Sequence, residues 1–172
     1  RAVELESRGL LLFGQPPTER RPRLLVDHGL ALETFTIELW LFDHVNQPVG
    51  TLAAIRDTVS GDVFASIGYH DRALHASVKR AGIATSEIAT ERISRRQAWK
   101  RYWHHAVLTH DGRHLRLYQN GRLAGELEVG PVLYGDAELD FELAGYFANE
   151  PFMSIENLLK GVRVFDHAAS ES

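Results

Sequence analysis

The 172-residue sequence contains no cysteine. Neither a disulfide framework nor a thiolate metal site can therefore be built from it. That absence leaves the redox compartment open, because a chain of this size buries a sufficient core without covalent staples. No apolar stretch approaches the about 20 residues of a membrane span, and the N-terminus lacks the pattern of a signal peptide. Helix-period runs are almost absent. There is no nucleophile elbow, no phosphate-cradling glycine-rich loop and no zinc-protease motif, so the enzyme classes that those motifs mark are left without their chemistry. Positive charge is also not concentrated. The formal net charge is -4, and the basic residues are scattered apart from ERRPR at 19–23 and RRQAWKRYW at 95–103. A nucleic-acid binder concentrates positive charge on one face, and a short basic run is ordinarily a solvated one. Nucleic acid is not an expected partner.

What is present is an ordinary globular composition, 44% apolar and 24% charged, in which alternating or β-branched runs recur between Gly, Pro, Asn and Asp. The clearest is ETFTIELWLF at 33–42, where Phe35, Ile37, Leu39 and Leu41 fall on one face and Thr34, Thr36, Glu38, Trp40 and Phe42 on the other. The second face turns aromatic toward its end, which predicts burial on both sides there. Further strands are expected at 2–6, 10–13, 23–26, 49–56, 62–69, 73–79, 87–94, 103–110, 114–119, 122–129, 137–144 and 159–165. So many strands in one chain of this length imply two packed sheets, an all-β antiparallel sandwich, in a single domain over 1–172. GQPPTERRP at 14–22 reads as a loop. IENLLK at 155–160, preceded by Ser154 as a plausible N-cap, reads as a short helical turn. The stretch 80–100 fits neither period well, since Ile83, Ile88 and Ile93 are spaced by five.

The most informative segment is WHHAVLTHDGRHLRLYQNGRLAG at 103–125. Asp111-Gly112 and Asn120-Gly121 are both tight-turn dipeptides, because Asn, Asp and Gly tolerate the positive φ of two-residue hairpins. They specify three consecutive antiparallel strands. This Trp-His, Asp-Gly, LRLYQNG pattern resembles the central hairpins of laminin-G-like and pentraxin-like domains of the concanavalin A-like lectin/glucanase superfamily. ETFTIELWLF is similar to a strand near the start of those domains, and LLKGVRVFDHAAS at 158–170 to their closing strand and following turn. The order and spacing of the three segments agree over roughly 23–170. The resemblance implies a jelly-roll sandwich. It also implies a role in binding sugars, proteins or lipids, or as a spacer in a larger extracellular or cell-surface protein. The family's usual C-terminal disulfide is missing.

ELDFELAG at 138–145 looks like the Glu-x-Asp-x-Glu signature of family 16 glycoside hydrolases, retaining β-glycanases that share the sandwich. That chemistry needs one carboxylate as nucleophile and one as general acid, about 5 Å apart. On a strand Glu138, Asp140 and Glu142 share one face, and the Cα atoms of Glu138 and Glu142 lie about 13 Å apart at about 3.3 Å per residue. Two long side chains leaning together close most of that gap. Chain order speaks against it, because in those hydrolases the acidic strand precedes the Tyr-x-Asn-Gly hairpin, whereas here Tyr118 to Gly121 come first. The resulting expectation is an amphipathic strand whose polar face meets water or accepts hydrogen bonds from a ligand.

Nine histidines invite a zinc reading. His104 and His105, adjacent on a strand, point to opposite faces and cannot chelate one ion. His110 and His114 straddle a turn without a carboxylate placed to complete a site. Calcium, which some relatives hold through rim oxygens, remains a possible cofactor, with Asp43, Asn46, Asp57, Asp62, Asp71, Asp136 and Asn149 in loops or at strand ends. Tyr69, Tyr134, Tyr146 and Phe147 are near loops, where aromatics stack on sugars, although in a sandwich most are core.

The sequence thus predicts a non-catalytic recognition module that binds a glycan or a protein, with Glu138, Asp140 and Glu142 as the candidate contact strip. The alternatives are a family-16-like retaining β-glycanase using Glu138 and Glu142, and a ligand-free structural spacer. Because the chain begins at Arg1, it is expected to be a piece of a longer protein with further domains, located outside the cell, in a periplasm or at the cell surface.

Overall fold

The computed structural model describes segments 3–4, 10–11 and 23–24 and residues 32–42, 49–57, 59–70, 72–79, 85–92, 103–143 and 158–169. Among these residues there is no helix. The strands are β1 (Val3–Glu4), β2 (Leu10–Leu11), β3 (Arg23–Leu24), β4 (Phe35–Phe42), β5 (Val49–Asp57), β6 (Val63–His70), β7 (Ala73–Val78), β8 (Ser86–Ala89), β9 (Trp103–His110), β10 (His114–Gln119), β11 (Arg122–Glu128), β12 (Leu139–Leu143) and β13 (Leu158–Phe165). They form two antiparallel sheets. The first runs β1-β13-β4-β9-β10-β11, with β2 also on β13, and the second runs β3-β12-β5-β6-β7-β8.

The alternation of β4 sets the core. Phe35, Ile37, Leu39 and Leu41 are fully buried, and their partners on β9 are His110, Leu108, Ala106 and His104. From the second sheet come Ile55, Ala65 and Val78 in one cross-strand row and Ala53, Ile67, Ala76 and Ile88 in the next. Phe141 of β12 adds the ring that pairs beside Ile55. Each of the larger side chains here, Val, Leu, Ile or Phe, contributes about 1.5–3 kcal/mol on leaving water. At one end Tyr134 packs edge-on against Phe64, ring centroids 4.9 Å apart, and its hydroxyl donates to the Leu32 carbonyl at 3.1 Å. Burial pushes its phenol above the ordinary value. Tyr69 is likewise core, whereas Tyr146 and Phe147 lie outside the described residues.

Where β8 and β11 approach each other at the sheet edges, Ile88 sits over Gly125. A Cβ on Gly125 would fall closer to Ile88 Cγ2 than the 3.0 Å that real Cβ atoms keep. Glycine is needed there for close approach rather than for a left-handed backbone.

Three local expectations change. Asn120-Gly121 is the two-residue turn expected, with φ of 52° and 74° between the paired residues Gln119 and Arg122. The other hairpin is centred one residue later, on Gly112 and Arg113. Asp111 N–H still donates to His114 O at 3.2 Å, and the Asp111 carboxylate accepts from the N–H groups of Arg113 (2.9 Å) and His114 (2.7 Å). Of the expected helical turn at 155–160, Leu158 to Lys160 are instead strand, paired with Phe42, Leu41 and Trp40. The β4 ladder supplies their backbone partners, which outweighs the weak local helical tendency. Ser154 lies outside the described residues. Finally, the end of β4 is not buried on both faces, because Trp40 is 40% exposed.

Candidate functional site

The acidic strip chosen from sequence straddles the start of β12. Glu138 is exposed, just before the strand. Asp140 pairs with Arg56, and Glu142 pairs with Ala54 on one side and Arg23 on the other. Asp140 and Glu142 thus occupy the positions alternating with the buried Phe141.

Among the loop oxygens considered for calcium, Asp57 is committed to its own turn. Its carboxylate accepts from the Val59 N–H at 3.0 Å, the Ser60 N–H at 3.2 Å and the Ser60 hydroxyl at 2.7 Å. The hydroxyl bond, followed by these backbone donors, holds its carboxyl below the usual range. Asp62 pairs with Lys79 at 2.6 Å. Asp43, Asn46, Asp71 and Asn149 lie outside the described residues. Among the described residues, no group of three or more His, Cys, Asp or Glu is arranged to hold a metal ion.

The histidines separate as the strand alternation requires. His104 is buried on the core side and His105 lies on the outer face. His110 is fully buried, stacked on Phe35 at 5.4 Å, with Nδ1 3.1 Å from Glu33 O and Nε2 2.9 Å from Gly130 O. It is a structural fastener between β9 and two loops. His114 stays at the turn, 3.6 Å from Asp111.

The sequence reading missed a cluster on the outer face of the first sheet. There Thr36, Glu38 and Trp40 of β4 pair with Thr109, Val107 and His105 of β9. One end of this face is closed by the C-terminal segment. The Thr36 hydroxyl donates to His167 O and accepts from Ala169 N–H, both at 2.8 Å, and the Thr34 hydroxyl donates to Asp166 O at 3.2 Å. At the other end lie the part-exposed Trp40 and Trp103. Glu38 is mostly buried and engages two neighbours, His105 Nε2 at 2.8 Å through Oε1 and an Arg163 terminal nitrogen at 3.4 Å through Oε2. The His105 ring stacks on the Trp40 indole, centroids 4.6 Å apart and planes 26° from parallel. Trp40 is 40% exposed, and Trp103, two residues along β9 from His105 and on the same face, is 37% exposed.

Two backbone devices keep this arrangement. The Asn120 side-chain carbonyl accepts the His105 N–H at 2.9 Å, and Asn120 N–H donates to His105 O at 2.8 Å, so the tight turn anchors β9 at the histidine. On the opposite side, the β13 register shifts between Lys160 and Arg163, and Gly161 adopts φ of 59°. A Cβ on Gly161 would lie 3.4 Å from Trp40 Cδ1. A bulge of this kind re-aims neighbouring side chains. The signal was available in the sequence. Trp40 continues the polar row Thr34, Thr36 and Glu38, which marks an aromatic on a solvated face rather than one buried twice.

Comparison with known proteins bears on the fold and its family. The laminin-G family model described as the concanavalin A-like lectin/glucanases superfamily matches residues 23–172. No curated protein matches the chain. Among solved structures, the botulinum neurotoxin serotype D/C VPI 5993 binding domain superposes with a TM-score of 0.60 at 17% identity, over 81% of this chain and 34% of that one. The binding domain of botulinum neurotoxin DC in complex with rat synaptotagmin II gives 0.61 at 16% identity, over 84% and 35%. The same binding domain in complex with SialylT gives 0.60 at 15% identity, over 85% and 35%. This chain spans about a third of the length of these structures. At such identities the likeness is one of fold, a jelly-roll sandwich.

Proposed function

The chain belongs to the concanavalin A-like lectin/glucanases superfamily, and on that premise we propose that it is a non-catalytic recognition module. It binds a glycan or a protein ligand as part of a larger extracellular or cell-surface protein. The observation that carries this reading is the pair of solvent-exposed indoles, Trp40 and Trp103, on one sheet face beside the fixed polar groups Glu38 and His105. Binding sites combine aromatic surface with a few placed polar groups in this way, and large amphipathic rings are favoured at interfaces. The similar toxin domains are described as binding domains, one in complex with synaptotagmin II and one with SialylT, which supports the same class of role. Among the described residues no helix is long and apolar enough to cross a membrane. Glu138, Asp140 and Glu142 are a second contact strip, offering acceptors to sugar hydroxyls.

A glycan-array screen together with calorimetry tests binding, and retention of at least one ligand is expected. No binding in either assay would remove the glycan half of this reading and leave a protein ligand or the spacer role. A reducing-sugar assay on β-glucans tests the non-catalytic half. No sugar release is expected, and release that disappears in Glu138→Gln or Glu142→Gln would establish a retaining β-glycanase instead.

A further inference from the structure

We propose that the outer face of the first sheet is a homophilic interface, on which the same face of a second copy of this chain packs sheet against sheet. The proposal rests on the reading of the chain as a recognition module and names its protein ligand.

The strand registers join the exposed apolar side chains of this face into one stripe. Trp40 pairs with His105, which puts Trp103 and Val107, two residues to either side of His105, at the diagonal positions, within reach of an aromatic ring. Val107 pairs with Tyr118, and Tyr118 pairs with Leu123, so the stripe crosses the sheet from β4 to β11. Val107 and Tyr118 are partly buried, and Leu123 is 50% exposed. Five large apolar side chains are exposed among the described residues. Three of them, Trp40, Trp103 and Leu123, belong to this stripe, whereas Val59 and Leu133 sit in loops. At about 250 Å² for a whole indole, the two tryptophans alone leave roughly 200 Å² in water, and the other three members bring the stripe to the few hundred Å² that mark an interaction site.

An identical copy is the occupant that the charges favour. An isologous contact sets one patch against itself, so a patch of a single sign repels its own copy. Here the charged groups flanking the stripe are matched within the chain, Arg163 with Glu38, Arg116 with Asp111 and Glu126, and Arg113 with Glu128. Such a face offers no field to a strongly charged partner and no repulsion to its twin. Its size suits a reversible contact. The five strands β13, β4, β9, β10 and β11, up to 8 residues long, span roughly 24 by 26 Å, or roughly 600 Å². Residues 166–169 occupy the end of that area at Thr34 and Thr36. The remainder lies below the about 800 Å² per partner of a standard interface, in the class of small, transient contacts. Pairing edge to edge is disfavoured, because β11 ends the sheet with a register shift at Leu117/Tyr118 and with Glu126 and Glu128 exposed, devices that keep strand edges apart.

The test is sedimentation velocity of the protein from micromolar to millimolar concentration, alongside Leu123→Glu and, as a control off the face, Leu133→Glu, each checked for an unchanged thermal melt. The expected result is a wild-type mass that climbs toward the dimer with concentration and a Leu133→Glu protein that behaves alike. Leu123→Glu should associate about tenfold or more weakly, because two unpaired glutamates would be taken out of water. A wild-type protein that stays monomeric at the highest concentration overturns the proposal, as does a dimer that Leu123→Glu leaves unweakened or that Leu133→Glu weakens equally. Growth beyond a dimer overturns it too, since an isologous face closes at two. In each of these cases the recognition reading is judged separately, by the glycan array and calorimetry. Should Leu123→Glu fail to fold, amide NMR spectra of the wild-type protein at the two ends of the concentration range decide the matter. Concentration-dependent shifts in β4, β9, β10 and β11 support the interface, and shifts confined to the second sheet, or none, refute it.

Discussion

The contact of Ile88 with Gly125 makes a prediction whose sign reverses with the background. Gly125 carries no left-handed φ, and a Cβ there would overlap Ile88 Cγ2 at less than the 3.0 Å limit. Because Ile88 is β-branched and buried, its methyl has few rotamers to escape into. Gly125→Ala therefore overpacks the β8–β11 edge, at a cost of about 1–3 kcal/mol. Removing a strand glycine offsets about 0.5–1 kcal/mol of this by stiffening the unfolded chain. The net expectation is a loss of up to about 2.5 kcal/mol. Ile88→Ala by itself deletes a buried side chain and costs about 2 kcal/mol or more. In that background the overlap is gone and only the glycine term remains, so adding Gly125→Ala stabilises by about 0.5–1 kcal/mol. Urea unfolding of the four proteins gives the cycle directly, with midpoints compared at equal m-values. If Gly125→Ala changes stability by the same amount with and without Ile88, the two sheets do not meet at this contact and the argument for close approach is wrong.

Other perturbations follow from single groups. His110→Leu removes the ring that contacts the partly buried Glu33 and Gly130 carbonyls; a loss of about 1–3 kcal/mol is expected in denaturant titration, and an unchanged midpoint would show that water replaces it. Asp111 illustrates a pH effect. Burial alone would raise its carboxyl, but the N–H groups of His114 and Arg113 and the Arg116 guanidinium outweigh burial and hold it well below the usual range. A depressed folded value means that its stabilisation is complete above the ordinary value of 3.8 and is lost as pH falls below that toward the folded value. Melting curves from pH 7 downward should show Asp111→Asn less stable at neutrality and with a shallower acid decline. A parallel decline in both proteins counts against the linkage. Gly121→Val places a β-branched residue at φ of 74° and is expected to cost about 1–2 kcal/mol. Because the same turn anchors His105 through Asn120, the variant should also weaken any ligand held at Trp40, which calorimetry would detect.

The sandwich was legible because its signals are local and repeated. Each strand of the 103–129 region carries its own alternation and its own turn dipeptide, and β9 and β10 fall on the expected residues without adjustment. The errors share one cause, which is that a strand pattern names faces without saying what lies opposite them. Periodicity put Trp40 on the same row as Glu38, but what lies beside that row is set by β13, roughly 120 residues away in sequence, where Lys160 pairs with Trp40. The helical reading of 155–160 failed for the same reason, since the partner that converts Leu158 to Lys160 into strand is β4. His110 shows the converse. Its spacing to His114 invited a zinc reading that the sequence left without a completing carboxylate, and the structure sets its two nitrogens against carbonyls of residues 33 and 130, neither close to it in the chain. Long-range pairing thus decides which polar and aromatic residues remain available to a ligand. In this protein it withdraws His110 and Asp57 into structure and leaves Trp40 exposed.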